Sequence, residues 1–119
     1  MTPQEASFVK YAINSYLGMK VTFFHQLYDA ALDFGSSPNR IINAVAADKR
    51  VGYSHTRVPG FDGKKGFGGA CLPKDMNAFV KFNQDLTLIA ESVKINNKMR
   101  EEYELDEREK SNNINFGEK

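Results

Sequence analysis

The chain has 119 residues, of which 41% are hydrophobic, and 16 basic side chains nearly balance 15 acidic ones, for a formal charge of +1. This length fits one domain with a modest core, and the charge gives no electrostatic reason to expect nucleic acid or an anionic membrane as partner. One cysteine excludes an internal disulfide, and no signal peptide or membrane-length apolar run is visible, so the expected location is cytoplasmic. His25 and His55 lack partners at metal-ligand spacing, so no metal site is expected.

The first segment has the pattern of a long helix. Thr2, Pro3 and Glu5 combine a capping box with a proline at the first helical position, and Gly35 supplies a stop. Between these ends, apolar residues recur at helical steps: Val9, Ile13, Leu17, Val21, Phe24, Tyr28 and Ala31. Other apolar residues fall outside this stripe. Such a helix needs burial on more than one side, either within its own domain or against a second subunit.

Lys10 and Asn14 are four residues apart on this helix and therefore project from one face. A lysine and an amide at this spacing can line a ligand site. The same spacing also fits a solvated polar face.

A second helix is expected to open at Ser37 and Pro38. Residues 49–69 then form an irregular stretch that holds six of the nine glycines, and a loop of this length in a small domain is usually functional or disordered. Arg50 lies in it. Its guanidinium could pair with a phosphate or a carboxylate, or it could be an ordinary surface arginine.

Cys71 lies between the last of these glycines and a helix expected to start at Pro73. The positive end of that helix, helped by Lys74, would favour the nucleophilic thiolate. Asp75 would fall in the first turn, where it could orient a water or take a proton. The glycines would let backbone N–H groups approach a ligand. The alternative is a small buried cysteine beside a plain loop.

Two further helices are expected, from Pro73 to a left-handed stop at about Asn83 and from a cap at Asp85 to about Arg100. Beyond them the apolar period is lost. We therefore expect a helical domain over residues 1–103 and a solvated polar tail over residues 104–119. With no convincing strand, the predicted fold is all-α: a long central helix, shorter packed helices and a glycine-rich active-site loop.

The sequence Gly-Phe-Gly-Gly-Ala-Cys-Leu-Pro-Lys-Asp at residues 66–75 resembles the active-site signature of the UDP-glucose/GDP-mannose dehydrogenase family. Lys-Tyr-Ala-Ile-Asn at residues 10–14 is similar to the Lys-Tyr-x-x-Asn of that family, and Arg-Val-Gly at residues 50–52 to its Arg-Ile-Gly. The resemblance covers about residues 5–100, the central domain of a three-part enzyme. The chain departs from the family pattern by inserting residues 62–65 before Gly66.

The resemblance implies oxidation of the C6 alcohol of a nucleotide sugar, with UDP-glucose as the first expectation, to a carboxylate by two NAD in turn. Cys71 would capture the intermediate aldehyde as a thiohemiacetal and then carry the thioester. Lys10 and Asn14 would stabilise the oxyanion, and Asp75 would position the water or act as base.

The resemblance also implies the residues around this centre. Gly60, Phe67, Gly68 and Gly69 would line the sugar site, and Lys74 would lie near the phosphates of the cofactor. Arg50 would reach the sugar site of a neighbouring subunit, in a homodimer formed through the first helix.

The NAD-binding and nucleotide-binding domains of the family are not found in these residues, which contain no Gly-x-Gly-x-x-Gly. A non-catalytic helical dimerisation module or remnant is therefore the alternative reading. An unrelated cysteine hydrolase is disfavoured, because no histidine lies at a recognisable spacing from Cys71.

Overall fold

A computed structural model describes residues 1–117 of the chain, and these residues contain helices and no strand. The helices are α1 (Pro3–Phe34), α2 (Pro38–Ala46), α3 (Cys71–Phe82), α4 (Thr87–Arg100) and α5 (Glu107–Ser111). The all-α prediction, with one long first helix and shorter helices packed on it, is confirmed. No helix within residues 1–117 is both long enough and apolar enough to cross a membrane.

The ends of α1 follow from local chemistry. The Thr2 hydroxyl accepts the Glu5 N–H at 3.1 Å, and the Glu5 carboxylate accepts the Thr2 N–H at 2.7 Å. This reciprocal pair satisfies two donors that a helix start leaves without partners. At the other end, Gly35 adopts φ 89°, a left-handed conformation that costs glycine little. Both predicted ends of α1 are correct.

Helices α3 and α4 pack against α1 and against each other, and α2 packs on α1 separately. The core at this junction is built from Val21, Phe67 and Met76, with Leu72 among the partly buried residues around it. Gly18 lets the helices approach closely, because a Cβ at this position would overlap the Met76 sulfur. Phe67 belongs to the glycine-rich segment, defined here as residues 60–69, so this segment contributes an aromatic ring to the core.

The buried face of α1 differs in part from the expected apolar stripe. Val9 and Ile13 are exposed, whereas Ser15 and Thr22 are buried. The reason is that α3 and α4 cover the face marked by Gly18, where Thr22 finds polar partners. The Thr22 hydroxyl lies 2.9 Å from the Ser92 hydroxyl of α4 and donates to the Gly18 carbonyl at 3.0 Å. Apolar periodicity cannot detect such a buried polar contact.

The boundaries of α3 and α4 correct three expectations. Helix α3 begins at Cys71 rather than at Pro73, because the first turn of a helix makes no use of its N–H groups and so tolerates proline at its third position. Asn83 ends it in an extended conformation, φ −144°, instead of the expected left-handed one. Helix α4 starts at Thr87 without a side-chain cap, so Asp85 does not cap it.

The expectation of a solvated polar tail from residue 104 is wrong for part of that segment. Helix α5 forms there, with a capping box between Asp106 and Glu109. The side chains of Glu109, Ile114 and Phe116 are buried. Two apolar residues are too few to give a helical periodic signal, and the burial of a glutamate depends on partners distant in sequence.

Candidate active site

Asp75 is the point at which α3 and α1 meet through polar groups. The Asn14 amide nitrogen donates to Asp75 Oδ2 at 2.6 Å, and Lys10 Nζ lies 3.9 Å from the same oxygen. The Asp75 side chain is only 7% exposed, whereas that of Lys10 is 69% exposed. The Lys10 contact is thus solvent-screened and weak, and the hydrogen bond from Asn14 is the stronger restraint on the carboxylate.

Cys71 is the first residue of α3 and is exposed. Asp75 follows four residues later, which places the two side chains on one face of the helix about 5–6 Å apart at Cβ. Asp75 thus belongs to the second turn rather than the first. Asp75 thus links Asn14 and Lys10 of α1 to the face of α3 that carries the exposed Cys71, and its carboxylate is buried.

The glycine-rich segment is held by α4 and α5, not left open. Phe67 and Asn96 exchange two hydrogen bonds: the Phe67 N–H donates to Asn96 Oδ1 at 2.7 Å, and Asn96 Nδ2 donates to the Phe67 carbonyl at 2.9 Å. The Gly69 N–H donates to Glu109 Oε2 at 2.8 Å. The expectation that the glycines would present N–H groups to a ligand is therefore wrong for the N–H groups of Phe67 and Gly69, which have partners in the chain.

A cavity of about 360 Å³ lies between this segment, α1 and the end of α4. Three of the residues expected to contact a substrate, Gly60, Phe67 and Gly68, line it. Positively charged side chains surround them: Arg57, Arg100 and Arg108. The cavity therefore combines backbone, an aromatic ring and cationic groups, which suits an anionic polar ligand. Gly69 does not line it.

Arg50 and Lys74 lie elsewhere. The Arg50 guanidinium forms a two-point pair with Asp48, at 3.1 and 2.8 Å, on an exposed loop. Lys74 lines a groove of about 970 Å³ between α3 and α4, together with Lys81, Lys94 and Lys98. Neither residue is brought to the Asp75 cluster, so any contact of theirs with a ligand involves a different side of the molecule.

Two titratable groups that interact with Arg100, Asp62 and His25, have displaced pKa values. For Asp62, burial acts to raise the pKa, but the hydrogen bonds from Arg100 and from the Lys64 N–H, with the charges of both residues, outweigh burial and lower the pKa. For His25, burial lowers the pKa, and the nearby charge of Arg100 acts in the same direction. His25 is thus biased towards the neutral form, and Asp62 towards the ionised form.

The family comparison bears on this arrangement. The model of the UDP-glucose/GDP-mannose dehydrogenase family, central domain, matches residues 4–100. The chain belongs to this family. Among its relatives, the UDP-glucose 6-dehydrogenase of Rhizobium meliloti is 30% identical over 99 residues, which cover 80% of this chain and 22% of that protein.

Two further relatives carry the same name. UDP-glucose 6-dehydrogenase YwqF of Bacillus subtilis is 29% identical over 98 residues, 79% of this chain and 21% of that protein. UDP-glucose 6-dehydrogenase of Campylobacter jejuni is 39% identical over 75 residues, 63% of this chain and 18% of that protein. The chain thus spans about a fifth of the length of the curated relatives it matches. The matched residues correspond to the central domain of the UDP-glucose/GDP-mannose dehydrogenase family.

Sequence reasoning missed the residues that hold the glycine-rich segment: Asn96, Arg100 and Glu109. A signal for two of them was present in α4. Ile89, Val93, Asn96 and Arg100 follow helical steps, so polar residues continue an apolar stripe. Polar residues at such positions indicate buried hydrogen bonding. The Asp106-x-x-Glu109 spacing of a capping box could have indicated the start of α5, but no local signal marks the burial of Glu109, which lies outside residues 4–100.

Proposed function

We propose that this domain supplies the nucleophilic thiol and its supporting polar groups to an NAD-dependent oxidation of the C6 alcohol of UDP-glucose to the uronate. Membership of the family supports the reaction class. One structural observation carries the residue assignment: Asp75, one turn along α3 from the exposed Cys71, contacts both Asn14 and Lys10 of α1. Two motifs that are separate in the sequence, residues 10–14 and residues 66–75, therefore supply the residues of this proposal.

In this proposal Cys71 adds to the C6 aldehyde. The S–C bond forms, the carbonyl π pair moves to oxygen, and the thiol proton is passed on as the thiohemiacetal forms. Lys10 brings a positive charge and Asn14 an amide donor to the developing oxyanion. The Asn14 amide has two N–H donors, of which Asp75 accepts one, so the second can face the substrate oxygen. Asp75 thus fixes the orientation of the donor.

Loss of a hydride from the thiohemiacetal carbon and of the proton from its hydroxyl leaves a thioester on Cys71. Water then attacks the thioester carbonyl, the C–S bond breaks, and the products are the carboxylate and the free thiol. The buried Asp75 carboxylate is placed to accept a proton from that water. Because capture as a thiohemiacetal holds a reactive aldehyde between two oxidations, an accessible thiol beside a fixed base and two donors fits this sequence of steps.

NAD, when bound, accepts the hydride from the sugar carbon. Within residues 1–117, the feature with a matching charge is the lysine-lined groove that contains Lys74, whose cations suit a pyrophosphate. The same residues contain no strand and hence no βαβ unit, so they fit one flank of a dinucleotide site rather than a whole one. Lys74 would then contact the cofactor phosphates.

The cavity beside Gly60, Phe67 and Gly68 is the proposed place of the sugar. Arg57 in its lining would face the anionic part of the substrate, whereas Arg100 is buried and paired with Asp62 and Glu109. The exposed Arg50 and the buried Gly69 are also proposed as substrate contacts, although neither lines this cavity. Arg50 projects from the surface, as a side chain that reaches into a neighbouring subunit would.

A homodimer through α1 is part of the proposal. Val9, Ile13, Tyr16 and Phe23 are exposed apolar side chains that fall on one face of α1. A contiguous apolar face of this kind indicates a partner surface. The same face supports the second candidate function, a helical dimerisation module without turnover, in which Cys71 would be dispensable.

The test uses a chimera in which this chain replaces the matching segment of the Rhizobium meliloti relative. We expect two NADH and one uronate for each UDP-glucose, and Cys71→Ser should lower uronate formation by about 10³-fold or more. The control moves the thiol to the surface of α1, with Ser7→Cys in the Cys71→Ser background, and should not restore uronate formation. Uronate formation that Cys71→Ser leaves undiminished would contradict the assignment, and a folded, UDP-glucose-binding chimera without turnover would favour the second candidate.

A further inference from the structure

We propose that Arg100 and Glu109 form a buried ionic clamp that positions the glycine-rich segment and, through it, the start of α3 at Cys71. The two are positioning residues, since neither contacts the thiol. Glu109 lies outside residues 4–100, so a segment beyond the family domain becomes part of the thiol site. The consequence for catalysis rests on the proposed function, whereas the clamp itself can be measured without turnover.

Arg100 is the centre of the clamp. Its side chain is 2% exposed, and Nη1 donates to Asp62 Oδ2 at 2.9 Å and lies 3.6 Å from Glu109 Oε2. Nη2 donates to the Gly66 carbonyl at 3.1 Å. The Arg100 guanidinium thus contacts the carboxylate of Asp62 and the carbonyl of Gly66, both in the glycine-rich segment, and the carboxylate of Glu109 in α5. A buried cation needs such partners, so their positions are strongly coupled to its own.

Glu109 connects the clamp to α5. Its side chain is 1% exposed. Oε1 accepts the Asp106 N–H at 2.9 Å within the capping box of α5, and Oε2 accepts the Gly69 N–H at 2.8 Å. The capping box fixes where the carboxylate lies, and the second oxygen then fixes Gly69. Only Ala70 separates Gly69 from Cys71.

Apolar contacts anchor α5 and the residues after it. Ile114 and Phe116 are buried, and the Phe116 ring centre lies 5.9 Å from the Arg100 guanidinium carbon. A cation near the face of an aromatic ring is attracted to it. The segment after α4 therefore packs around Arg100. This packed segment, and not a free chain end, holds Glu109 against the glycine-rich segment.

The glycine-rich segment lies directly against the clamp. A Cβ at Gly68 would overlap Arg100 Nη1 and Glu109 Oε2. The inserted residues 62–65 add further ties: Asp62 pairs with Arg100, and Lys64 Nζ donates to the Glu104 carbonyl at 3.0 Å. The four inserted residues thus tie the glycine-rich segment, of which they are part, to α4 and to the residues before α5, which gives them a structural role.

The test compares Glu109→Gln with Glu107→Gln in the full chain. Glu107 is an exposed neighbour on α5, so the control removes the same charge without touching the clamp. Compared with the Glu107→Gln chain, the Glu109→Gln chain should show hydrogen exchange at least ~10-fold faster in residues 66–71 and unchanged in the middle of α1. Because Cys71 is the only cysteine, its rate of reaction with a disulfide reagent reports on the same site and should rise at least ~3-fold.

Two further variants keep the test decisive. Glu109→Asp retains the charge with a shorter side chain and serves if Glu109→Gln fails to fold; it should give a smaller effect in the same residues. Arg100→Lys retains the charge and loses the bond to Gly66, so exchange should rise at residues 66–69. Folded Glu109→Gln and Glu109→Asp chains with unchanged exchange and thiol rate would overturn the clamp. These readouts need no cofactor or substrate, so failure of the uronate assay leaves them intact.

Discussion

Asn14 of α1 donates a 2.6 Å hydrogen bond to the buried carboxylate of Asp75 on α3, across a sequence separation of 61 residues. This bond joins two motifs that the sequence presents separately, and it sets the orientation of the amide that the proposed oxyanion would meet. Because Asp75 has little access to water, a second negative charge placed at this contact would be poorly solvated.

Asn14→Asp should destabilise the chain and make its stability depend on pH in a characteristic way. Two carboxylates would share one buried site, so the pKa of one of them would rise in the folded state above its unfolded value of about 4. The variant should lose about 1–3 kcal/mol at neutral pH and recover part of the loss as the pH falls through the raised folded pKa towards about 4. Urea unfolding at a series of pH values measures this. Asn43→Asp, on an exposed position of α2, is the control and should show neither effect.

Asp62→Asn should remove an acid-dependent part of the stability. The pKa of Asp62 is lower in the fold than in the unfolded chain, since the bonds and charges of Arg100 and Lys64 outweigh burial. Its contribution is therefore complete above the unfolded pKa of about 4 and is lost as the pH falls through the folded pKa. We expect a loss on the order of 1–3 kcal/mol at pH 7, smaller in acid. The exposed Asp85→Asn is the comparison, and an equal loss from both changes would contradict the coupling to Arg100.

His25→Gln should flatten the stability profile just below neutral pH. His25 is buried, its Nδ1 lies 2.9 Å from the Val21 carbonyl, and burial lowers its pKa. The unfolded chain then binds the proton more readily, so stability falls as the pH drops below the unfolded value of about 6.5. Thermal unfolding between pH 5 and about 7.5 should show a smaller slope in the variant. The pKa of His55 is also lowered, first by burial. His55→Gln therefore measures the part of the pH slope that His25 does not supply.

Gly68→Ala should destabilise the chain by about 1–3 kcal/mol through overpacking, because its Cβ meets the Arg100–Glu109 pair. The expected cost does not come from backbone strain, since Gly68 is not among the glycines with positive φ. Gly117→Ala is the matched control: the nearest atom to a Cβ there is 3.6 Å away, an ordinary contact. Denaturant midpoints of both variants measure the difference. A Gly68→Ala chain as stable as the control would mean that the clamp side chains shift easily.

The sequence predicts the features that depend on neighbouring residues. The capping box of Thr2 and Glu5 and the left-handed Gly35 are local, and both ends of α1 are as expected. Local rules mislead at Pro73, because proline is acceptable anywhere in a first turn, and Cys71 is therefore inside α3 rather than before it. The spacing of Lys10 and Asn14 predicts one shared face but not the Asp75 carboxylate that both contact.

The burial of Glu109 and Phe116 was not predictable from the sequence, since it depends on a cation, Arg100, that itself looks like the polar end of a helix. In a segment with alternating charges, nothing local separates a docked glutamate from a solvated one. The family resemblance gives no help there either, because it ends at residue 100.

Ile13→Glu should separate the proposed homodimer. Ile13 is 54% exposed on the same face of α1 as Val9 and Tyr16, and a glutamate placed there would put two like charges near each other in a twofold interface and leave both desolvated. We expect the unmodified chain to sediment as a dimer at micromolar concentration and the variant to shift by 10-fold or more towards monomer. Leu88→Glu, at a 73% exposed position on α4, controls for added surface charge and should leave the dimer unchanged. A chain that is monomeric at all concentrations, or a dimer that resists Ile13→Glu but dissociates with Leu88→Glu, would place the self-association surface away from α1.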